Sequence, residues 1–332
     1  MKVLVVGGAG YIGSHVLKAL FLDGHEPVAL DNLCSGHADS VRYGTLVRGD
    51  MGDAHLLAQV LGVQRFDAVM QLASHVQVGE SMADPAKYYE NNVAATLILL
   101  RAVREAGIRN LVFSSTAAVY GEPRAVPIAE DHDLRPITPY GRGKLMVEWM
   151  LADFAAAYGL RHVNLRYFNA AGADPDGELG ERHDPETHLV PLILRAASRR
   201  IERIDIFGRD YATRDGTCER DYVHVSDLAA AHVSALRYLC GGGSSGAFNL
   251  GAGRGTTVLE MLAAAAEIAG TDIPARDQPR RPGDPPVLVA DAGRAMRTFG
   301  WRPERSDART ILRHAWAWEQ RLAPARAANP VS

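Results

Sequence analysis

A tyrosine and a lysine four residues apart, Tyr140 and Lys144, are the side chains whose spacing most directly suggests chemistry in this sequence. On a helix this spacing places both groups on one face, about 6 Å apart along the axis. A phenol has an ordinary pKa of about 10, so only ~0.1% of it is ionised at pH 7 and it needs a nearby positive charge to act as a base. We therefore predict a general base at Tyr140 whose pKa is lowered by Lys144. An isolated pair of this kind is more often a surface contact, so the interpretation depends on the rest of the sequence.

A glycine-rich turn near the N-terminus predicts a dinucleotide site. Residues 3–6 form a continuous apolar run, which is typical of a strand buried on both faces of a parallel sheet. The run leads into glycines spaced Gly-x-Gly-x-x-Gly at positions 8, 10 and 13, with a further glycine at position 7. Such glycines allow a tight turn and a close approach of the backbone to a pyrophosphate. A helix predicted over 12–22 would direct its N-terminal amides toward the phosphates.

An acidic residue indicates which dinucleotide is bound. A second strand, predicted over 27–30, ends in Asp31 and Asn32, about 20 residues beyond the glycines. A carboxylate in this place can accept hydrogen bonds from both hydroxyls of the adenosine ribose and repels a 2′-phosphate, so we predict NAD rather than NADP. The positive ring of the oxidised nicotinamide would also favour the ionised form of Tyr140.

The composition is that of a globular enzyme. With 332 residues, of which 47% are hydrophobic and 23% charged, the chain can fill a sizeable core. The net charge of −3 gives no reason to expect nucleic acid or an anionic membrane as a partner. The three cysteines have no metal-like spacing and are interpreted as free thiols. Because we recognise neither a signal peptide nor a membrane span, we predict a cytoplasmic protein.

Strands and helices alternate through the first half of the sequence. Further strands are predicted at 45–47, 67–73, 110–115 and 162–167, and long helices at 92–105 and 140–158. This βαβ repetition predicts an α/β fold with a doubly wound parallel sheet. The alternation ends near residue 170. We therefore predict an NAD-binding domain over 1–170, with a return segment near 221–228, and a smaller mixed α/β substrate domain over 171–332 that is interleaved with it.

Other stretches accompany these motifs in order along the chain. They include Ser-Ser-Thr at 114–116, Arg-Tyr-Phe-Asn at 166–169, Arg-Asp-Tyr-Val-His-Val at 220–225 and Arg-Pro-Gly-Asp at 281–284. Together with the glycine turn, Asp31 and the Tyr-x-x-x-Lys pair, they resemble the extended short-chain dehydrogenase/reductases (a Rossmann-type fold), and among these the UDP-glucose 4-epimerase family. The resemblance extends from Val3 to Trp318.

The resemblance implies an NAD-dependent isomerase that interconverts UDP-glucose and UDP-galactose. Tyr140 would take the proton from the sugar 4-hydroxyl as hydride leaves C4 for NAD, and hydride would return to the other face after the 4-keto sugar turns within the site. Lys144 would hold the nicotinamide ribose, and Thr116 would hydrogen-bond the sugar oxygen and help to relay the proton. Because the cofactor ends as it began, we expect it to stay bound.

The resemblance also implies two groups of binding residues and a homodimer. The residues expected to bind NAD are Gly7, Gly10, Tyr11, Ile12, Gly13, Asp31, Asn32, Asp50, Met51, Leu72, Ala73, Ser74, Asn91, Ser114, Tyr140, Lys144 and Phe168. The residues expected to bind the UDP-sugar are Thr116, Tyr140, Asn169, His188, Leu189, Phe207, Arg220, Arg281 and Asp284. The homodimer would form through the helices at 92–105 and 140–158, although packing on the sheet equally explains the apolar faces of these helices.

Three positions depart from the family pattern. Val76 stands where some epimerases have a lysine near the cofactor phosphate, His188 where an asparagine is frequent, and Leu288 where some members have a tyrosine beside the sugar 2-substituent. A smaller side chain at position 288 leaves room for an N-acetyl group, but such a change in volume alters discrimination by only about 1–3 kcal/mol. The sequence therefore leaves UDP-N-acetylhexosamines and the pentose pair UDP-xylose and UDP-arabinose open as substrates.

Other reaction classes fit the sequence less well. A nucleotide-sugar 4,6-dehydratase needs an acid–base pair directly after Thr116, where this sequence has Ala117 and Ala118. Another NAD-dependent nucleotide-sugar oxidoreductase would have to exchange its cofactor in every turnover. A cofactor-sensing binding module would have no need of a base, its lysine and a relay hydroxyl together.

Two histidines, His183 and His188, have acidic residues between them and could suggest a metal. Their spacing fits no compact metal site, so we interpret them as loop residues and predict no metal.

Overall fold

The computed structural model describes residues 1–281 and 283–322. Pro282, within the predicted substrate-binding run at 281–284, lies outside the described residues. So do residues 323–332, with which the predicted substrate domain ends.

The strands differ in length and lie in four separate sheets. In chain order they are β1 Lys2–Val6, β2 Glu26–Asp31, β3 Thr45–Arg48, β4 Ala68–Gln71, β5 Asn110–Thr116, β6 Arg161–Tyr167, β7 Asn169–Ala171, β8 Ile204–Phe207, β9 Glu219–Arg220, β10 Tyr222–His224, β11 Gly246–Leu250, β12 Thr256–Thr257, β13 Ala275–Gln278 and β14 Val287–Leu288.

The helices alternate with the strands in the first half of the chain. They are α1 Tyr11–Leu22, α2 Ala54–Val63, α3 Val78–Ala83, α4 Pro85–Tyr88, α5 Ala95–Glu105, α6 Pro139–Tyr158, α7 Leu189–Ala197, α8 Val225–Cys240, α9 Val258–Ala269, α10 Gly293–Phe299 and α11 Ala308–Leu322. Within the described ranges, no helix combines the length and the apolar character needed to cross a membrane.

The largest sheet has seven strands, all parallel, in the order β11-β6-β5-β4-β1-β2-β3. The strand order reverses direction at β1, with β2 and β3 on one side and β4, β5 and β6 on the other. Sheets of this kind bind ligands outside the carboxyl ends of the strands at such a reversal. The predicted doubly wound parallel sheet is confirmed, and it fixes where a nucleotide site must lie.

Both faces of this sheet are covered, which explains the continuous apolar run at its centre. Val3 and Val5 of β1 belong to a core that also contains residues of α1 and α8. Leu4 and Val6 point to the other face, into a core that contains residues of α2, α5 and α6. Alternate side chains of one strand therefore enter different cores, and neither face can be polar.

A third core lies in the second half of the chain. It contains Val190 and Ile193 of α7, Met261 of α9, and Ile311 and Leu312 of α11. Two small sheets accompany these helices, one of β8 with β13 and one of β12, β9 and β14. The second half therefore has a core of its own beside the large sheet.

The return of the chain to the sheet differs in detail from the prediction. Strand β10, in the predicted return segment, pairs with β7 in a separate two-stranded sheet, and α8 follows it onto the large sheet. The strand that joins the large sheet is β11, which pairs with β6 from Gly246 to Leu250. The predicted return segment therefore contributes helix α8, and not strand β10, to the large sheet.

The two long predicted helices are present, with one altered start. Helix α6 begins at Pro139, where the Thr138 hydroxyl accepts a hydrogen bond of 3.2 Å from Gly141 N. Before α5, residues Tyr89–Ala94 form a π-helical segment that continues α4 into α5. Such wide turns occur at functional sites because they change the direction in which side chains leave the helix.

Candidate active site

The predicted base and its lysine are buried on the same helix, next to the end of β5. Lys144 Nζ donates a hydrogen bond of 2.8 Å to Ser114 O and lies 5.9 Å from the centre of the Tyr140 ring. Lys144 is 3% exposed and Tyr140 is 9% exposed. Thr116, at the carboxyl end of β5, accepts a 3.1 Å hydrogen bond from Ala118 N, and its hydroxyl is near enough to the Tyr140 phenol to lower the pKa of that group. The structure thus brings the three predicted catalytic residues together.

Burial governs the ionisation of this pair in the protein alone. It raises the pKa of Tyr140, and the nearby Thr116 hydroxyl opposes that rise only in part. Burial also lowers the pKa of Lys144 to about 7. The prediction that Lys144 lowers the pKa of Tyr140 is therefore wrong for the protein without its cofactor, because loss of hydration disfavours the charged form of both groups.

The glycine turn forms a backbone cradle after β1. Gly7 has a φ of +84°, and a Cβ there would lie 2.5 Å from Ala73 N. A Cβ on Gly13 would collide with the carbonyl of Gly7. Gly10 caps α1 without a side chain, so within the described chain the first amides of the helix carry no side-chain cap. These features leave room and hydrogen-bond donors for a pyrophosphate, and they fit a dinucleotide.

Asp31 lies at the end of β2 beside this cradle. Its two carboxylate oxygens accept hydrogen bonds from Ala9 N at 2.9 Å and Leu33 N at 2.8 Å. Each oxygen keeps a further lone pair, so the fixed carboxylate can still accept from a ribose hydroxyl. The neighbouring Asn32 donates a 2.6 Å hydrogen bond to Asp50, which connects two predicted cofactor residues.

The loop after β4 completes the cofactor side. Leu72 N and Ala73 N both donate to Val6 O, at 2.8 and 3.0 Å, so this loop lies directly beside the glycine turn. Asn92 holds the loop through both backbone groups of His75, and Asn91 Nδ2 donates to Asn92 Oδ1 at 2.8 Å. The π-helical segment that carries both asparagines therefore faces the predicted cofactor.

Several predicted cofactor residues have apolar side chains, so any hydrogen bond that they form with a cofactor must come from the backbone. Their side chains pack against the two cores of the sheet, as is seen for Ile12, Met51, Leu72 and Ala73. Tyr11 instead donates a 2.6 Å hydrogen bond to Gly172 O, and so links the glycine turn to the start of the second half of the chain. Ser114 hydrogen-bonds the hydroxyl of Tyr167 beneath the catalytic pair.

The predicted sugar-nucleotide residues form a second group. Arg220 is 9% exposed and forms an ion pair with Asp284. The Arg281 guanidinium stacks 3.9 Å from the centre of the Phe207 ring. From the sequence, these two arginines were separate candidates for binding the UDP-sugar. In the structure, each of them contacts another residue that was predicted to bind the UDP-sugar.

A short strand connects this group to the catalytic pair. Leu288 of β14 pairs with Arg220 of β9, and Asn169 N donates a 3.0 Å hydrogen bond to Asp221 O. Leu288 and Phe168 both pack on the cluster that contains Leu145 of α6.

The loop at 181–188 contradicts the expectation from spacing. The donor atoms of Glu181, His183, Glu186 and His188 all lie within 4.8 Å of one another. Burial lowers the pKa of His188, but its hydrogen bonds to Glu181 and Glu186 outweigh that effect and raise the pKa to about 10. The four side chains form a compact cluster because the loop folds back on itself before Leu189, the first residue of α7.

A buried ion pair behind the catalytic helix was missed by sequence reasoning. Arg166 of β6 contacts both carboxylate oxygens of Glu148 on α6, at 3.0 and 2.6 Å, and Ser115 Oγ donates to the same carboxylate. Glu148 lies one helical turn beyond Lys144, so the Tyr140–Lys144 spacing continued by four residues could have identified it. Arg166 belongs to the Arg-Tyr-Phe-Asn run, but its partner is not apparent from that run.

The fold and this site define a family of NAD-dependent enzymes. The sequence profile described as NAD dependent epimerase/dehydratase family matches residues 3–251, and the chain belongs to that family.

Individual relatives are similar over nearly their whole length. A UDP-glucose 4-epimerase of Rhizobium leguminosarum bv. trifolii is 51% identical over 316 residues, which are 95% of this chain and 96% of that protein. The crystal structure of UDP-glucose 4-epimerase from Brucella ovis in complex with NAD is 50% identical, with a TM-score of 0.93, and the match covers 95% of this chain and 97% of that one. The enzyme of that name from Stenotrophomonas maltophila, with bound NAD and formylated UDP-arabinopyranose, is 41% identical, with a TM-score of 0.94, and the match covers 99% and 100% of the two chains.

Proposed function

We propose that the chain is a UDP-glucose 4-epimerase that interconverts UDP-glucose and UDP-galactose with resident NAD. The observation that carries this proposal is the burial of Tyr140, Lys144 and Thr116 together at the carboxyl ends of the strands, beside the glycine cradle and Asp31. Relatives of the same name cover nearly the whole chain, and the solved Brucella ovis enzyme contains NAD.

Each catalytic residue has a defined task in this reaction. Bound NAD would supply the hydride acceptor for C4 of the sugar and the donor for its return to the opposite face. The Tyr140 phenolic oxygen takes the proton of the 4-hydroxyl and later gives it back, and the Thr116 hydroxyl, near that phenol, holds the sugar oxygen. Lys144 holds the nicotinamide ribose while its Nζ stays fixed on Ser114 O. The buried phenol has a raised pKa, so the positive charge that ionises it must come with the cofactor.

The remaining predicted residues would divide between the two ligands. The glycine turn, Asp31, Asn32, Asp50 and the loop at 72–74 would hold NAD. Arg220 and Arg281 would hold the UDP-sugar, because a guanidinium matches the charge and shape of a pyrophosphate. The large sheet would then be the NAD-binding domain, and the core of α7, α9 and α11 the centre of the substrate domain.

The test is turnover without added cofactor. Purified protein is mixed with UDP-galactose, no NAD is added, and UDP-glucose is followed by chromatography. We expect UDP-glucose to form, because the cofactor is regenerated in each cycle. Folded protein that contains NAD but forms no UDP-glucose would refute the proposed substrate, and activity on UDP-arabinose or UDP-N-acetylglucosamine run in parallel would identify the replacement.

The N-acetyl sugars differ from glucose at the 2-position, and the family resemblance places Leu288 beside that position. Its side chain is partly buried beside Phe168, on the cluster under the catalytic helix. The relative from Stenotrophomonas maltophila was solved with a UDP-arabinopyranose derivative. The parallel assays therefore rank substrates for one site rather than test separate reactions.

We also propose a cytoplasmic homodimer. Leu97 on α5 and Met146 and Trp149 on α6 are exposed, with 58% of Trp149 accessible. These helices lie side by side, so a second copy can cover both faces at once. All three cysteines are free thiols, which is usual in a reducing compartment.

A further inference from the structure

The cluster in the loop at 181–188 is unlike an ordinary surface ion-pair network. His188 Nδ1 lies 2.7 Å from Glu181 Oε1 and 3.1 Å from Glu186 Oε1, while His183 Nδ1 lies 2.9 Å from Glu181 Oε1 and 4.0 Å from Glu186 Oε2. One donor atom from each of the four side chains thus lies within 4.8 Å of the other three. Four ligands arranged tetrahedrally at about 2.0–2.1 Å from a zinc ion lie roughly 3.3 Å from one another. Three of the four separations are shorter than this value, and the fourth, from His183 Nδ1 to Glu186 Oε2, is longer.

A second observation points to a missing partner in this cluster. The Glu186 side chain is fully buried, at 0% exposure. Its Oε2 atom forms no hydrogen bond with any described residue. The guanidinium of Arg195 lies 3.8 Å from this oxygen and instead donates to the backbone oxygen of His183 at 3.1 Å. A buried carboxylate oxygen without a hydrogen bond is costly, and a metal ion would satisfy it.

A second cluster of carboxylates, at positions 174–178, differs from this one because it already has a cation at its centre. Asp174, Asp176 and Glu178 also bring their carboxylates together, but Lys18 Nζ lies among them, 2.8 to 2.9 Å from all three. A lysine already supplies the positive charge there. The cluster at 181–188 has histidines in place of that lysine, and imidazole together with carboxylate is a donor set that suits zinc and similar transition metals better than magnesium or calcium.

We propose that Glu181, His183, Glu186 and His188 bind one divalent transition-metal ion, with Zn²⁺ the best match. Four protein ligands complete a tetrahedron, so the site is structural and has no open position for catalysis. Two carboxylates and two neutral imidazoles balance the charge of the ion, which makes its burial favourable.

The position of the cluster defines what the ion would do. The ring of Tyr11, in the glycine turn, and the ring of His183 lie edge to face with their centres 6.3 Å apart, so the cluster lies close to that turn. His188 is also the N-cap residue of α7, the residue directly before the helix begins. The ion would therefore tie the loop and the start of α7 to their place beside the glycine turn, and would offset two negative charges near the expected pyrophosphate.

The test measures metal binding directly and does not depend on the proposed reaction. Protein without a polyhistidine tag is dialysed against EDTA, titrated with ZnCl₂ by calorimetry, and its metal content is counted after gel filtration. We expect one Zn²⁺ per chain and a thermal midpoint that falls on chelation and recovers with ZnCl₂. Loss of even an outer-shell partner weakens metal affinity by roughly 10–100-fold, so His183→Ala and Glu186→Gln should each weaken Zn²⁺ binding at least that much.

Matched controls make each outcome decisive. His55 is exposed on α2, and His55→Ala should retain the wild-type Zn²⁺ affinity. A tenfold excess of MgCl₂ should not displace the zinc. Wild-type protein that binds no stoichiometric Zn²⁺ would overturn the proposal, and that measurement needs no variant to fold. Zinc bound equally well by His183→Ala and wild type, or displaced by Mg²⁺, would overturn it as well.

Discussion

The proposed catalytic residues Tyr140 and Lys144 have shifted pKa values because both side chains are buried. In the protein alone, the pKa of Tyr140 is raised and that of Lys144 is lowered to about 7, in each case chiefly by burial. The proposed base is therefore un-ionised in the protein alone, and we expect the positive nicotinamide ring to favour its ionisation.

Replacement of the phenol tests the base directly. Tyr140→Phe should lower kcat by about 10²–10⁴-fold, the usual contribution of a general acid–base group. Bound NAD should be retained, because the glycine cradle is unchanged. Tyr158→Phe, at the exposed end of the same helix, is the control. A Tyr140→Phe variant within tenfold of wild-type turnover would remove Tyr140 from this role.

The lowered pKa of Lys144 predicts a pH-dependent stability. Between about pH 7 and about pH 10.4, the unfolded chain carries a proton on this lysine that the folded protein lacks. The free energy of unfolding therefore rises with pH in that window, by up to about 1.4 kcal/mol per pH unit from this group. Lys144→Met should lose this slope. Urea unfolding of NAD-free protein from pH 7.5 to 9.5 measures it, and parallel profiles for variant and wild type would contradict the burial effect.

At the level of elements, helix α6 is fixed at both ends of its catalytic face. Thr138 caps its first turn, which carries Tyr140. Two turns later, Glu148 forms an ion pair with Arg166 on β6, and the two side chains are 6% and 5% exposed. The catalytic side chains lie between these anchors, so the register of the helix on the sheet determines where the phenol points.

Removal of one partner from this clamp should be severe. Glu148→Gln leaves Arg166 as an unpaired buried charge, and such changes cost about 3–5 kcal/mol. We expect a loss of that size in the free energy of unfolding by urea. Asp153→Asn, an exposed carboxylate on the same helix, should change it little. If both variants were equally stable, the clamp would not anchor the helix.

At the scale of the whole molecule, two neighbouring helices present exposed apolar side chains. Helices α5 and α6 bury one face on the sheet and leave Leu97, Met146 and Trp149 accessible on the other. An exposed apolar patch of this kind favours association with a second copy.

Light scattering tests this association. Wild-type protein at micromolar concentration should show twice the mass of one chain. Trp149→Arg places a charge in the patch and should give the single-chain mass, whereas Val63→Arg, at an exposed apolar position on α2, should remain dimeric. A wild-type monomer would refute the homodimer.

Some features follow from sequence alone because they depend on neighbours along the chain. The strand–glycine–helix turn, the acid at Asp31 and the four-residue spacing of Tyr140 and Lys144 are local patterns, and helix and strand geometry convert them directly into position. The doubly wound sheet was predictable for the same reason. Continuous apolar runs, typical of buried strands, alternate along the chain with stretches whose apolar residues recur at the spacing of a helix. The helix predicted over 92–105 differs from the structure only at its start, where a π-helical segment precedes α5.

Only the tertiary structure decided which distant residues meet. The Glu148–Arg166 clamp, the Arg220–Asp284 pair and the compact cluster of Glu181, His183, Glu186 and His188 join positions whose spacing predicts no contact. The directions of the pKa shifts also depend on burial, which is a property of the packed molecule rather than of any segment. Local sequence thus determined what each element is, and long-range packing determined the electrostatic environment in which its side chains act.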